Sequence, residues 1–496
     1  MLHERIKKDV LHKTSLSGIL SFKQKCIPKF RIQENTLKSL DPFNDYPQVC
    51  SIQIVAKNIK IHKWKKMESL EIQSFDIRPL NCYRKRFSLC LTDLLKKPEI
   101  GLRRINLTFR KKELDIEREL ADFANGIGRH SKDLERLSVN FGVCFSKNCQ
   151  GFLELARQVG LNCRNLKEFH FYFGPIQNGM RSETLRSFVR FRSRIERYFS
   201  GIERLSFDMR YSFDYSNNET IFSSIDPMIL KTRNRERLFK LTRVSMNLED
   251  NYWISYQTFQ KVFASLCEFK GNLQKLDLNF SSCSIKENKT QTIENSKGMI
   301  QKTNLKSLVL LLNFNYEFND KGVEDLISDF KMNLDNKLES LKLGFVCCKK
   351  ISIYGFGVLC QNISEYFFQL KSLDLNFHGC LIDKDEFRVI IEGLKGCIRH
   401  LEKFVLSLFG CKSITNEGLE MLSEALVMSG ENLKELSLTF GLGGDILLRD
   451  FGMKLGRGLV GLKCLKLRIF NREEHDLKFN LLQIFEPIPK VIFKSS

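Results

Sequence analysis

The stretch that decides the fold is "LKSLDLNFHGC", residues 370 to 380, because it recurs at residues 401 to 411 as "LEKFVLSLFGC". In both segments apolar residues stand at the first position and at offsets 3, 5 and 7, and a cysteine stands at offset 10. Since offsets 3, 5 and 7 alternate, their side chains share one face of a β-strand. The recurrence indicates a repeated unit that begins with a strand.

The same pattern begins at thirteen places along the 496-residue chain, usually about 32 residues apart. A chain that is 43% hydrophobic meets four fixed apolar offsets by chance about once in thirty tries, yet twelve of the thirteen segments meet all four. The sequence therefore predicts a tandem array. The first residues of the segments are Met67, Leu102, Leu134, Leu166, Ile202, Leu241, Leu273, Leu305, Leu338, Leu370, Leu401, Leu433 and Leu462.

The second half of the repeat has the period of a helix. After Ile414 come Leu419, Leu422 and Leu426, and these three residues stand at i, i+3 and i+7, which is one stripe of a helix. A glycine precedes the stripe in three of four such repeats, which we interpret as a small residue where the chain turns into the helix. The other stripes are Phe387, Ile390 and Leu394; Phe356, Leu359 and Ile363; and Val323, Leu326 and Phe330, and the glycines are Gly322, Gly355 and Gly418.

Each unit is therefore a strand, a turn and a helix, and neither apolar face can be buried by one unit alone. Stacked units bury both faces, with strands about 4.8 Å apart and helices about 10 Å wide. The wider helices force the stack to curve. The sequence predicts an α/β solenoid of horseshoe form, with about thirteen parallel strands in one unbroken sheet on the concave side, helices on the convex side, and no second domain.

These units resemble leucine-rich repeats of the ribonuclease-inhibitor and cysteine-containing types. The closest resemblance lies in "LEKFVLSLFGCKSITNEGLEMLSEALVMSGENLKELSL", residues 401 to 438, with its Ile-Thr-x-x-Gly-Leu turn, and the whole resemblance covers residues 67 to 470. The chain departs from the usual pattern because the cysteine stands at offset 10 rather than 8. Its richness in Phe, Lys, Asn and Ile is similar to that of ciliate repeat proteins. The resemblance implies a binding role but names no ligand.

Three regions follow from the limits of the repeat. Residues 1–66 lack the pattern and are predicted to form a basic tail or cap, residues 67–470 hold about thirteen repeats, and residues 471–496 are predicted to form a C-terminal cap. No run approaches the roughly 18 apolar residues of a membrane span, and the N-terminus lacks the apolar core of a secretory signal. We expect a monomeric protein in the cytoplasm, with the nucleus as the alternative.

The sixteen cysteines include no CxxC pair. Five of them stand at offset 10, so we expect reduced thiols that pack as small buried hydrophobes rather than zinc ligands or disulfides. No nucleotide-binding, metalloprotease or hydrolase motif occurs, and the eight histidines are scattered. We expect no enzyme activity, catalytic residue, metal or cofactor. The five cysteines are Cys144, Cys283, Cys348, Cys380 and Cys411.

The formal net charge of +21 is unevenly distributed. Residues 1–120 hold 26 Lys+Arg against 14 Asp+Glu, whereas the remaining residues hold 53 against 44. The N-terminal region could therefore bind nucleic acid or another anionic surface. The alternative, which we favour, is that these lysines and arginines are solvated on a cap and on outer helices.

Binding residues are expected on strand positions that point away from the core, at offsets 2, 4, 6 and 8. The column at offset 6 is small and polar, and the column at offset 2 is basic in the N-terminal half. These side chains could hydrogen-bond to a partner, or they could only keep an exposed strand soluble. The predicted partner-binding residues are Asn140, Asn247, Asn279, Asn376, Arg104, Arg136, Arg204 and Arg243.

The leading expectation is a non-catalytic scaffold that binds a protein on its concave face. The alternative is the substrate-recognition subunit of a ubiquitin ligase, because cysteine-containing repeats often follow an F-box in such adaptors. Residues 1–66 show no helical entry of the Leu-Pro-x-Glu kind that an F-box would require.

Overall fold

The structure is a computed structural model of the chain, and its description is confined to part of the sequence. The chain divides into two compact units, which are described separately: unit 1 is Met1–Gln177 with Arg186–Ile202, and unit 2 is Asn178–Leu185 with Glu203–Ser496. The described residues are 30–32, 52–54, 69–75, 103–109, 121, 124–127, 132–140, 150–172, 201–210, 240–252, 254–267, 272–283, 285, 303–411, 414–441, 448–470 and 490–495.

The described strands of unit 1 pair in chain order, and every pairing is parallel. Apolar side chains alternate with polar ones along them, as the strand pattern predicts, and the apolar members of β5 and β6 are buried. The elements are β1 (Phe30–Ile32), β2 (Ile52–Ile54), β3 (Ser69–Phe75), β4 (Arg104–Phe109), β5 (Arg136–Asn140), α1 (Gln150–Asn162) and β6 (Glu168–Tyr172).

Unit 2 repeats the same arrangement, again with parallel neighbours in chain order. Its strands are β7 (Arg204–Asp208), β8 (Arg243–Asn247), β9 (Lys275–Asn279), β10 (Ser307–Leu311), β11 (Ser340–Gly344), β12 (Ser372–Asn376), β13 (Lys403–Leu408), β14 (Glu435–Gly441), β15 (Cys464–Phe470) and β16 (Val491–Ser495). Its described helices are α2 (Tyr256–Cys267), α3 (Asp320–Asn333), α4 (Ile353–Tyr366), α5 (Lys384–Ile398), α6 (Asn416–Ser429) and α7 (Leu448–Gly458).

All thirteen predicted strands are present as β3 to β15, and each begins two residues after the first residue of its repeat. The fold is an α/β solenoid of the leucine-rich-repeat type. Three further short strands, β1, β2 and β16, lie in the segments that the sequence predicts as tail or caps, and each pairs in parallel with its neighbour. They lack the repeat pattern, which is why sequence periodicity misses them. Their capping role stays a prediction.

The division into two compact units neither confirms nor contradicts the single unbroken array that the sequence predicts. It falls beside the two longest repeat intervals, which run from Leu166 to Ile202 and from Ile202 to Leu241. A repeat that departs from the common spacing gives its neighbours a less regular surface for stacking. That one array continues through residues 178–203 therefore stays a prediction.

The predicted helical stripes are confirmed, because all their residues in α3 to α6 are buried. Phe356 of α4, for example, packs edge-to-face on Phe377, with ring centroids 5.1 Å apart. Burying a large apolar side chain contributes about 1.5–3 kcal/mol. The stripe of α4 therefore packs on the strand side of the next repeat, because Phe377 belongs to the repeat that begins at Leu370. None of the helices described here is long and apolar enough to cross a membrane.

The glycines before the stripes stand where the chain enters its helices, as the sequence predicts, and their small size also serves close packing. A Cβ on Gly322 would lie 2.8 Å from the ring of Phe318, and one on Gly418 would lie 2.7 Å from the ring of Phe387. Both glycines stand inside the first helical turn. Their N–H groups donate to the N-cap side chains of Asn319 and Thr415, respectively.

A column of side chains at offset 10 joins successive repeats of unit 2. The thiol of Cys380 donates to the carbonyl oxygen of Phe345 at 2.9 Å, and Phe345 stands at offset 7 of the preceding repeat. The same bond joins Cys283 to Leu248 O, Cys348 to Leu312 O and Cys411 to Phe377 O, at 3.2–3.3 Å. All four cysteines are buried free thiols, as predicted. Cys144 lies outside the described residues.

The column contains two asparagines that the sequence analysis missed. Asn251 Nδ2 donates to Met209 O at 2.9 Å and to Leu248 O at 2.8 Å, and Asn315 makes the matching pair of bonds to Phe280 O and Leu312 O. An amide has two N–H donors, so asparagine bonds to its own repeat as well as to the preceding one. The signal was present in the sequence, because both residues stand at offset 10.

A left-handed residue at offset 9 turns the chain toward this column. Six consecutive repeats have φ between 55° and 76° here, and only two of the six residues are glycine. A non-glycine residue pays about 1–2 kcal/mol for this conformation. The turn is supported across repeats, because the N–H of Cys347 donates to His378 O and that of Gly379 donates to Phe409 O, both at 2.7 Å.

A buried carboxyl group links two helices of unit 2. Asp329 of α3 is 4% exposed, and its Oδ2 accepts a hydrogen bond from the hydroxyl of Tyr256 in α2 at 2.9 Å. Gln260 Nε2 also donates to this carboxyl group, at 3.2–3.3 Å. Burial raises the pKa of Asp329 to about 6, although the two hydrogen bonds oppose the rise.

We expect Cys380→Ala to lower the free energy of unfolding by about 1–2 kcal/mol, because it removes the thiol donor and the packing of a buried sulfur. Cys464→Ala is the matched control, since Cys464 is only partly buried and stands outside the column. It should cost under about 0.5 kcal/mol. Urea unfolding of both variants measures the difference, and equal losses would contradict the role of the column.

Asp329→Asn should remove a pH dependence of stability. The folded pKa is raised, so between about pH 4 and 6 the native state holds a proton that the unfolded state releases, and stability falls as pH rises through this window. The stability of the unsubstituted protein relative to the variant should therefore fall by about 2–3 kcal/mol from pH 4 to 7. Urea unfolding at several pH values measures it. Asp450→Asn, at an exposed position, is the control, and a constant difference would disprove the expectation.

Candidate functional site

The candidate site is the open face of the sheet in unit 2, which we define as the side chains at offsets 2, 4 and 6 of its strands with the turn residues at offsets 8 and 9. In β12, Ser372, Asp374 and Asn376 are partly exposed on this face, whereas Leu373 and Leu375 between them are buried. Because neighbouring strands are parallel and in register, equal offsets stand side by side in columns. The sequence predicted these columns.

The predicted asparagines of unit 2 have a structural role that the sequence analysis did not assign to them. The Oδ1 atoms of Asn247, Asn279 and Asn376 accept the backbone N–H two residues further on, at 3.2, 3.0 and 3.1 Å. This is the Asx turn, in which the side chain replaces a backbone acceptor. Each of these side chains therefore stabilises the end of its strand, and the role in partner binding stays a prediction. Asn140 stands at the same offset in β5 of unit 1 and is partly exposed.

The four predicted arginines form two register pairs rather than one column. Arg104 lies opposite Arg136 in unit 1, and Arg204 lies opposite Arg243 in unit 2. Arg136 is 3.5 Å from Glu168. Arg243 Nη2 lies 2.6 Å from Asp277 Oδ2 on the next strand, and its Nε donates to the same oxygen at 3.0 Å. Glu168 and Asp277 therefore hold the guanidinium groups of Arg136 and Arg243.

The polar columns are interrupted by an apolar patch, which we define as Val309, Leu311, Phe314, Gly344 and Val346. Val309, Leu311 and Val346 are partly exposed, and Phe314 is 40% exposed. A Cβ on Gly344 would lie 3.0 Å from Leu311 Cδ2, so the leucine side chain lies over the glycine backbone. The sequence analysis missed this patch. Its signal was the presence of Leu311 and Gly344 at offset 6, where most other repeats have a polar residue.

Polar and charged groups surround the apolar patch. Asn313 Oδ1 accepts the N–H of Val346 at 3.0 Å, and Lys342 pairs with Asp374 at 2.7 Å on the next strand. The ring of His378 contacts that of Phe409, with centroids 4.6 Å apart, and burial lowers the pKa of this histidine. Tyr316 is 57% exposed in the turn that follows Phe314. The face thus has an apolar centre and a polar border.

The described part of the chain contains no group of three or more His, Cys, Asp or Glu side chains that could hold a metal ion. The cysteines of the offset-10 column use their thiols for hydrogen bonds to backbone carbonyls. Burial raises the pKa of the Cys348 and Cys411 thiols to about 12, so both remain protonated donors at neutral pH.

No protein-family model and no curated protein matches the chain. The leucine-rich-repeat-containing protein LegL7 from Legionella pneumophila is 11% identical, with 77% of this chain and 97% of that chain covered and a TM-score of 0.40. A chain of the yeast Rad7 and Elc1 complex is 13% identical, with 76% and 77% covered and a TM-score of 0.36. A Bacteroides fragilis protein is 16% identical over 59% of this chain, with a TM-score of 0.30, and the chain spans 65% of its length. The fold assignment therefore rests on the strand register and the repeat columns.

Proposed function

We propose that the chain is a non-catalytic leucine-rich-repeat scaffold that binds a protein partner on its strand side, the side predicted to be concave. The observation that carries the proposal is the apolar patch on the open face of unit 2. Protein interfaces combine an apolar, aromatic-rich centre with a polar rim, and the patch and its border have this composition.

Rigidity also supports a binding role. The offset-10 column, the left-handed turns and the in-register strands hold the face in one conformation before a partner arrives. A preformed surface avoids part of the entropy cost of ordering side chains on binding. The partly exposed Val309 and Leu311 stand on β10 itself rather than on a loop.

The predicted polar residues would serve the border of this surface. Asn247, Asn279 and Asn376 use Oδ1 within the Asx turn, and Asn279 Nδ2 also donates to Glu249 Oε2 at 3.4 Å. An amide has two N–H donors, and those that remain would bond to carbonyl groups of a partner. We assign the same border role to Asn140 and to the four arginines. Arg243 would meet the partner together with Asp277, as an ion pair.

We further propose that the repeats are of the cysteine-containing, ribonuclease-inhibitor-like type, as their resemblance to those repeats and to ciliate proteins suggests, and that the protein acts as a monomer in the cytoplasm. The four cysteines that close the inter-repeat hydrogen bonds support the subtype. The ubiquitin-ligase and nucleic-acid alternatives depend on the N-terminal region, most of which lies outside the described residues.

Val309→Asp should reduce affinity for the protein partner at least tenfold, because the interface would have to bury a carboxylate in an apolar centre. The partner is first identified by capture on the full chain and mass spectrometry. The purified partner is then titrated against the unsubstituted chain and the variant. Since Val309 is partly exposed, far-UV circular dichroism should show unchanged folding.

Val460→Asp is the matched control, because Val460 is 91% exposed in the turn after α7 and stands outside the open face. It should bind like the unsubstituted chain. The proposal is wrong if Val309→Asp keeps full affinity, or if both variants lose affinity equally. The triple replacement of Asn247, Asn279 and Asn376 is a poorer probe, because each change also removes an Asx-turn bond worth about 1 kcal/mol.

A further inference from the structure

The last two strands of unit 2 concentrate positive charge on the open face. Lys466 and Arg468 stand at offsets 4 and 6 of β15, and both are exposed. Lys490, directly before β16, is also exposed. We call Lys466, Arg468 and Lys490 the basic patch.

Elsewhere along this sheet, lysines alternate with acids on neighbouring strands. At offset 1, Glu339 lies 3.4 Å from Lys306 and 3.2 Å from Lys371, and Glu402 lies 2.7 Å from Lys434 in the next repeat. Such pairs neutralise the charge of successive repeats. The next residue in this column is Lys463, and the alternation with acids ends there.

The basic patch departs from this rule. Within the described part of the chain, Lys466, Arg468 and Lys490 form no ion pair. Glu435 on the neighbouring strand β14 is bound to Lys403 at 3.0 Å. Lys466 and Lys490 act on Glu435 only through longer-range attraction, which helps Lys403 to lower the pKa of Glu435. Among the described residues, these three cations therefore have no acidic partner.

Protection of an exposed sheet edge does not explain Lys466 and Arg468. Lysines on edge strands prevent pairing with other chains. However, β15 has a strand on each side, since it pairs with β14 through seven residues and with β16 through five. Lys466 and Arg468 therefore stand on an internal strand, where they add no protection to an edge.

The spacing of the patch fits an extended polypeptide. Alternate residues of a strand lie about 6.6–6.8 Å apart, and neighbouring strands lie about 4.8 Å apart. An extended segment with a carboxylate at every second residue repeats at the same distance, and a guanidinium group binds carboxylates in bidentate fashion. Single-stranded nucleic acid sites also need aromatic side chains for base stacking. The described neighbours on this face, Ser437, Thr439 and Ile492, supply none.

We propose that β15 and β16 form a subsite for an acidic, extended segment of the protein partner, with carboxylates at alternate residues. This rests on the proposed protein-binding function, and it names the chemistry of the partner. The apolar patch anchors the partner, while the basic patch selects its charge and raises its association rate.

The test uses the purified full chain and two fluorescent ten-residue peptides, one alternating Glu and Ser and the other alternating Gln and Ser. Fluorescence anisotropy at 50 mM salt should show at least tenfold tighter binding of the Glu peptide, and 200 mM salt should weaken it. Lys466→Glu combined with Arg468→Glu should lower the affinity for the Glu peptide at least tenfold. Lys466→Gln with Arg468→Gln should give a smaller loss in the same direction.

The matched control is Arg388→Glu combined with Lys395→Glu, which changes the net charge equally at exposed positions of α5. An equal loss in this control, or equal binding of the two peptides, would overturn the subsite. A ten-nucleotide oligothymidylate is titrated in the same way. If it binds more tightly than the Glu peptide, and the Lys466→Glu with Arg468→Glu variant loses this binding, the ligand of the basic patch is a nucleic acid and the proposal is wrong. Val309→Asp should leave peptide binding unchanged, so failure of the apolar patch is distinguished from failure of the basic patch.

Discussion

The structure of unit 2 depends on how each repeat satisfies the carbonyl group at offset 7. Leaving a buried polar group without a partner costs about 1–3 kcal/mol, so each of these groups needs a donor. The thiol or amide at offset 10 of the next repeat supplies a donor, as Asn315 does for Phe280 and Cys380 for Phe345, whose carbonyl oxygen also accepts the N–H of Cys348. The donor reaches the carbonyl because the residue before it is left-handed. One hydrogen bond thus explains a residue type, a backbone conformation and the contact between repeats.

The same constraint prepares the open face. Since every turn leaves its strand at the same offset, neighbouring strands stay in register and equal offsets form columns. The Asx turns of Asn279 and Asn376 close the ends of those strands. Where one column contains apolar residues instead of polar ones, the face has a local apolar surface and the strands stay in register, as they do where Leu311 lies over Gly344.

Charge follows the register as well. Lysine and glutamate at offset 1 alternate between repeats, and Arg243 meets Asp277 across one strand boundary. Exposed pairs of this kind contribute little to stability individually, about 0–1 kcal/mol. Lys466 and Arg468 of β15 form no such pair among the described residues, and the proposed acidic segment of a partner would neutralise them.

The sequence by itself determined the repeat, the positions of thirteen strands and the buried stripes of α3 to α6. This was possible because the spacing of buried residues in a strand or helix depends only on residues close together in the chain. It also located the cysteine column. Only the tertiary structure decided the bond partners: that Asn251 takes the place of a cysteine, that Asp277 holds Arg243, and that Asp329 meets Tyr256. These contacts join residues about 30 to 70 positions apart, and local periodicity carries no information about which distant groups meet.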